Sequence, residues 1–264
     1  MTTTLVATDL DGTVIFSDRS VGADRPADLQ PVDPYAYMTA TAGRHWTALA
    51  QAGAVLPVTT RSVEQYLRLR LPGPRPPLAV VCNGARLLVD GENDPAWERV
   101  VRQRLTGSAA SFDEVFRQAR AWGDEHPFKL VRAVEDFYVY FVAPAREPWL
   151  SEFALHARDW ARRHGWRTTL QGRKFYLLPA VLDKAPAVAE VADRVGAGRV
   201  LAGGDSLLDE QMLRAADAGI FPAHGELHVT GFTAPNCRTT AGNGAAAGDE
   251  IVTWYAEQAG VGRR

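Results

Sequence analysis

Apolar residues gather in short runs at the two ends of the chain and in longer-period stripes in its middle. Leu5-Val6-Ala7, Ala54-Val55-Leu56-Pro57-Val58 and Leu78-Ala79-Val80-Val81-Cys82 are compact apolar runs rich in branched residues. Such runs suit strands buried on both faces. Helices are predicted over 41–52, stopped by Gly53, and over about 62–71, closed by Pro72-Gly73-Pro74. Between the first strand and the first helix, a polar loop is predicted from Ser17 to about Ala40, marked by Pro26, Pro31 and Pro34. Loops of that length in compact domains are commonly functional, and this one could bring Tyr35 or Tyr37 over a site.

After Asn83-Gly84 the periodicity changes. Phe112, Val115, Phe116, Ala119 and Trp122 share one helical face, as do Leu150, Phe153, Ala154, Ala157, Trp160 and Ala161 near 148–163. Each predicted helix precedes two extended segments, near 128–133 and 137–142 and then near 166–170 and 174–178. Helix-strand-strand occurring twice describes an antiparallel sheet with helices on one face, so the aromatic stripes read as core. From Leu182 the alternation of strands and helices returns: a helix over about 184–195, a strand at 199–204, a helix near 207–216, a strand at 218–222. A glycine- and alanine-rich segment, 241–248, then leads into a helix to about Gln258.

Alternation at both ends implies one fold class, α/β, with a doubly wound parallel-sheet (Rossmann-like) core. The core is expected to comprise residues 1–84 and 181–264, with an inserted α+β unit over 85–180. Composition changes this picture little. The 264 residues are 46% hydrophobic and carry a net charge of −2 with a pI near 6.3, so no global basic field points to nucleic acid or an anionic membrane. No apolar stretch approaches the roughly 20 residues that span a bilayer. Cys82 and Cys237 read as reduced thiols, Cys82 as a small core residue. A cytoplasmic protein is the expectation.

In parallel sheets, ligands sit beyond the carboxyl ends of the strands, and polar groups collect there. Asp9 and Asp11, one residue apart, point the same way past the first strand. Gly12 permits a sharp departure of the backbone. Thr59 ends the second run, Asp205 and Asp209 follow the strand at 199–204, and Lys184 opens the helix after the insertion. Singly, each has a plain alternative: an Asx turn, a helix cap, a solvated lysine. Jointly, four carboxylates, one ammonium and one hydroxyl on one rim suit a magnesium ion and a phosphate.

Asp9-Leu10-Asp11-Gly12-Thr13, Thr59 with Arg61, Lys184, and Gly204-Asp205-Ser206-Leu207-Leu208-Asp209 resemble the four signature motifs of the haloacid dehalogenase-like hydrolases. The insertion resembles that family's larger α/β cap, most similar to the caps of sucrose-phosphate phosphatase and phosphomannomutase, and Asn83-Gly84 matches the start of such caps. The resemblance implies Asp9 as nucleophile and Asp11 as general acid and base. It implies Thr59 and Lys184 as phosphate-binding residues, and Asp9, Asp205 and the Asp11 main-chain carbonyl as ligands of Mg²⁺. Asp209 is expected to support the metal ligands or to orient Lys184. The chain departs from the family pattern at Thr60, where many relatives have Gly, and at Leu208, where Asn commonly stands.

Alternation in the cap strands places Phe137, Val139, Phe141, Phe175 and Leu177 toward the helices and Tyr138, Tyr140, Lys174 and Tyr176 on the other face. Lys174 and Tyr176, with Arg61, Asn83 and Arg173, are candidate substrate-binding residues; for either arginine a surface or inter-domain ion pair is the plain alternative. The leading expectation is a Mg²⁺-dependent phosphatase acting on a small phosphomonoester, a sugar or sugar-like phosphate. A phosphomutase of the same superfamily and a non-catalytic phosphate-binding protein on this fold remain the alternatives. The expected partner is a small-molecule phosphate ester, without nucleic acid or membrane.

Overall fold

The computed structural model describes residues 3–22 and 25–261. Its elements, in chain order, begin with β1 (Thr4–Thr8), β2 (Leu29–Asp33), β3 (Ala36–Thr39), α1 (Ala40–Gln51), β4 (Val55–Pro57), α2 (Val63–Leu67), β5 (Leu78–Val81), β6 (Arg86–Val89) and β7 (Glu92–Asn93). The middle of the chain forms α3 (Pro95–Leu105), α4 (Phe112–Glu125), β8 (Leu130–Val134), β9 (Tyr138–Val142), α5 (Pro148–Arg163), β10 (Trp166–Gln171) and β11 (Lys174–Pro179). The remainder forms α6 (Ala185–Val195), β12 (Arg199–Gly203), α7 (Glu210–Ala215), β13 (Ala218–Phe221), α8 (Glu226–Val229), β14 (Cys237–Thr239) and α9 (Gly244–Ala259). Two compact units result, one holding the chain up to Asp94 and from Lys184 onward, the other Pro95–Asp183.

The first unit is a parallel sheet in the order β14-β13-β12-β1-β4. A parallel bridge between Val58 and Val80 sets β5 beyond β4. This is the doubly wound arrangement that the alternating pattern implies. The chain leaves the sheet later than expected, at Pro95 rather than residue 85, because β6 folds back antiparallel on β5 and β7 on β6. Helix α2 is shorter than expected, five residues opened by a reciprocal Ser62–Gln65 capping box. The glycine- and alanine-rich segment is largely the first turns of α9, where Gly244, Ala245, Ala247 and Gly248 are buried.

The segment 17–40 also departs from expectation. It contains an antiparallel hairpin, β2–β3, joined to the chain after the Asp9-to-Thr13 segment by paired bonds between Phe16 and Tyr37, both 2.8 Å. Pro31 and a register shift between Pro31 and Asp33 break the period-two alternation that would have announced it. Tyr35 stands at the turn, 76% exposed.

The second unit is a sheet in the order β10-β11-β9-β8, all antiparallel. Trp122 of α4 and Phe153 of α5 contact Phe141 and Phe175, with ring centroids 5.0–6.5 Å apart where paired. The apolar strand set therefore meets the helices as the alternation requires. Tyr140 and Tyr176, 5.9 Å apart, lie on the opposite face with Lys174. Helix α3, built on Trp97 and Val101 one turn apart, is an addition to the doubled helix-strand-strand.

Candidate active site

Burying β1 in mid-sheet fixes where its following residues fall. The Asp9 N–H donates to Gly203 O at 2.8 Å, tying the ends of β1 and β12. Thr8 Oγ1 donates to Asp9 O at 2.9 Å and accepts from the Tyr255 hydroxyl at 3.1 Å, so α9 supports the same corner. Asp9 is 5% exposed, and Lys184 and Asp209 are fully buried. Lys184 Nζ donates to Asp9 Oδ1 and to Asp209 Oδ1, each at 2.6 Å. The other Asp209 oxygen accepts from the Ser206 N–H and hydroxyl at 3.0 and 2.9 Å. Asp209 thus orients Lys184 and the turn that carries Asp205.

Asp205 differs from its neighbours. Carboxylate oxygens of Asp9, Asp205 and Asp209 lie within 4.8 Å of one another. Yet no hydrogen-bond donor reaches the Asp205 carboxylate among the described residues. Burial, then the charges of Asp9 and Asp209, push its pKa well above the usual carboxylate range. Burial likewise raises Asp9 to about 7, against the pull of Lys184. Burial disfavours the Lys184 ammonium, but Asp209 and Asp9 outweigh it and hold the charge. One ammonium cannot balance three crowded carboxylates, two of them buried, so this cluster wants one more cation. An all-oxygen donor set of this kind fits a hard divalent ion. Gly12 makes room for it: its φ is +83°, and a Cβ there would stand 2.7 Å from Asp205 Oδ2.

Asp11 is separate from that cluster in its side chain. Its two oxygens accept from Arg61 Nε and Nη2 at 2.7 and 2.8 Å, a bidentate pair. Arg61 Nη1 also donates to Asp33 Oδ2 at 3.1 Å. Burial works against the guanidinium charge, and Asp11 and then Asp33 reverse that effect and raise its pKa. Thr59 is fully buried and its Oγ1 accepts from the Arg61 N–H at 3.1 Å, which leaves its own O–H to donate elsewhere. Asn83 is buried with φ +56° in the turn after β5, and its N–H donates to Thr59 O at 3.0 Å. The structure therefore brings Asp9, Asp205, Asp209 and Lys184 together, and links Asp11, Arg61, Thr59 and Asn83 through bonds at the neighbouring strand ends.

Lys174 and Tyr176 lie on the second unit, on the sheet face away from its helices. Arg173 instead donates to the carbonyls of Ala143 and Pro144 at 3.1 and 3.0 Å, a loop-holding role. Two residues near the site were not anticipated. Asp33 is the partner of Arg61 just described. His224 accepts from the Gly244 N–H at Nδ1, 3.0 Å, which leaves Nε2 to donate to Gly12 O at 3.0 Å. Burial lowers its pKa, so a neutral ring ties the glycine after Asp11 to the start of α9. Neither residue has a local sequence signal, because each acts through a partner far away in the chain.

Comparison with solved structures decides the architecture. A haloacid dehalogenase-like hydrolase from Bacteroides thetaiotaomicron superposes with a TM-score of 0.61 at 13% identity, over 96% of this chain and 99% of that one. The fold is that of the haloacid dehalogenase-like hydrolases. Sucrose-phosphatase from Synechocystis, solved with sucrose and phosphate, matches over 99% of both chains with a TM-score of 0.66 and 12% identity. A trehalose-6-phosphate phosphatase related protein matches over 96% of this chain and 97% of its own, with a TM-score of 0.60 and 18% identity. No family model matches the sequence, and no curated protein matches it either. Among the described residues no helix is long and apolar enough to cross a membrane.

Proposed function

We propose that the protein is a Mg²⁺-dependent phosphatase that hydrolyses a small soluble phosphomonoester, a sugar or sugar-like phosphate, through an aspartyl-phosphate. The observation that carries the reading is the triple carboxylate cluster of Asp9, Asp205 and Asp209 around a single buried Lys184. Asp9 and Asp205, with the Asp11 main-chain carbonyl, are the residues that would hold Mg²⁺. The ion would supply charge to neutralise phosphoryl oxygens.

In this reading Lys184 grips Asp9 Oδ1, while Oδ2 has only a long contact, 3.4 Å, from Thr13. Oδ2 is the oxygen left to attack phosphorus. As the Asp9–phosphorus bond forms, the bond to the leaving oxygen breaks and Asp11 gives that oxygen its proton. Water then attacks the aspartyl-phosphate, Asp11 takes the water's proton, and Asp9 and inorganic phosphate are released. Lys184 and the Thr59 hydroxyl hold phosphoryl oxygens throughout. The sugar-like substrate draws support from the sucrose-phosphatase likeness and from the polar Tyr140, Lys174 and Tyr176 face of the second unit. A cytoplasmic metabolite is the partner that fits.

The test is phosphate release from a panel of sugar phosphates, nucleotides and phospho-acids with Mg²⁺. Asp9→Asn should abolish turnover while leaving the fold intact, because an amide is no nucleophile. Wild-type turnover in that variant would refute the assignment.

A further inference from the structure

The hairpin β2–β3 sits between the first strand and the first helix of the core, where neither the sheet nor the carboxylate cluster requires it. It places one carboxylate in an unusual position. Asp33, at the end of β2, has a side chain only 2% exposed, and buried carboxylates are costly unless paired. Its Oδ1 accepts from the Tyr35 N–H at 2.9 Å. Its Oδ2 meets Arg61 at 3.1 Å and Arg68 at 3.4 Å. These partners outweigh the burial and hold Asp33 below the usual carboxylate range.

The two arginines are not equivalent. Arg68 is 47% exposed in its side chain, whereas Arg61 is 14% exposed and its other two nitrogens fork onto Asp11. Asp11 itself is 46% exposed. An exposed ion pair made by a long side chain is worth little unless that side chain is itself held in place. Here the far end of the guanidinium is gripped by a carboxylate on a rigid element. The hairpin is fastened on one side by the Phe16–Tyr37 bonds and on the other by Arg70 N–H to Val32 O at 2.7 Å.

We propose that Asp33 is a positioning residue, which anchors the Arg61 guanidinium and through it fixes the place of the Asp11 carboxylate. The kinetic part of this proposal rests on the phosphatase reading of Asp11; the structural part does not. The hairpin then belongs to the catalytic apparatus, although none of its residues needs to touch the substrate. Because the grip is by charge and geometry together, Asp33→Glu should restore part of what Asp33→Asn removes. Arg61→Lys should resemble Asp33→Asn, since an ammonium cannot span both carboxylates.

Two measurements test this. The first is the Arg61 Nε–H resonance of the intact protein, assigned by its loss in Arg61→Lys. In wild type the bond to Asp11 protects that proton. In Asp33→Asn its exchange should quicken roughly tenfold, the size of one lost charged hydrogen bond; unchanged exchange overturns the proposal. The second compares kcat/KM for phenyl phosphate, whose leaving group needs a proton, with p-nitrophenyl phosphate, whose leaving group does not. Asp33→Asn should lower kcat/KM for phenyl phosphate roughly tenfold or more and for p-nitrophenyl phosphate less than about threefold, because the second leaving group departs without a proton. Equal losses on the two substrates would mean a merely structural ion pair and would overturn it. Should Asp33→Asn fail to fold, Arg61→Lys gives the same leaving-group readout. Absence of any turnover in wild type would refute the phosphatase reading alone, with the exchange measurement still deciding whether Asp33 anchors Arg61.

Discussion

Magnesium should stabilise this protein by an amount that grows with pH over a defined window. The carboxylates of Asp9 and Asp205 both lie above the ordinary aspartate value of 3.8, Asp9 at about 7. Without metal, the folded cluster retains a proton that the unfolded chain has already released. A raised pKa means that the stability is fully present below about 3.8 and is lost as pH rises toward about 7. For one retained proton over about three pH units, at about 1.4 kcal/mol per unit, the loss is about 4 kcal/mol. A divalent cation takes the place of that proton and spares the loss. The increment in unfolding free energy on adding Mg²⁺ should therefore climb between pH 5 and pH 7 with a slope of about 1.4 kcal/mol per unit for each proton displaced. Urea unfolding at pH 5, 6, 7 and 8, in EDTA and in saturating Mg²⁺, measures it. Using the increment cancels groups that hold no part of the ion, such as Asp249, whose shift is the same in both series. A flat increment from pH 5 to pH 7, or one larger at pH 5, would refute the reasoning. Asp205→Asn should flatten it.

Other substitutions probe the same site. Lys184→Met leaves three carboxylates facing one another without a cation and should cost about 3–5 kcal/mol at pH 8, less at pH 5, read from urea midpoints without metal. Gly12→Ala forces an alanine to φ +83°, a cost of roughly 1–2 kcal/mol. The same change pushes on Asp205 and should remove most of the Mg²⁺ increment; an undiminished increment would mean that Asp205 is not a ligand.

Much of this was legible in the sequence because the core obeys local rules. Buried parallel strands need continuous apolar runs, so the residues at which Leu5–Thr8, Val55–Val58 and Val200–Gly203 give way to polar groups mark the rim of the sheet. Asp9, Thr59 and Asp205 could be placed there without any knowledge of contacts, and the lysine that meets Asp9 followed from the same geometry. Helices α4 and α5 were equally plain, as their stripes are long and strongly periodic. What escaped depends on partners distant in sequence. Asp33 gains its meaning from Arg61, 28 residues on, and His224 from Gly12, 212 residues back. The hairpin that carries Asp33 hides behind Pro31 and a bulge. Helix α3 did leave a trace, since Trp97, Val101 and Leu105 recur at helical spacing, but its charged residues dilute it.

Strand β1 pairs with β4 on one side, Val6 beside Val55, and with β12 on the other, Leu5 beside Val200. As the chain emerges from a ribosome, its first neighbour arrives within about fifty residues and its second only after the whole of Pro95–Asp183. During that interval β1 has one open edge, which is the kind of edge other chains can pair with. The inserted unit, whose four strands all come from one continuous stretch, can finish folding first. Synthesis from the amino end thus leaves the parallel-sheet unit the last to close, and a stall after the insertion would release a chain with a finished second unit and an unpaired central strand.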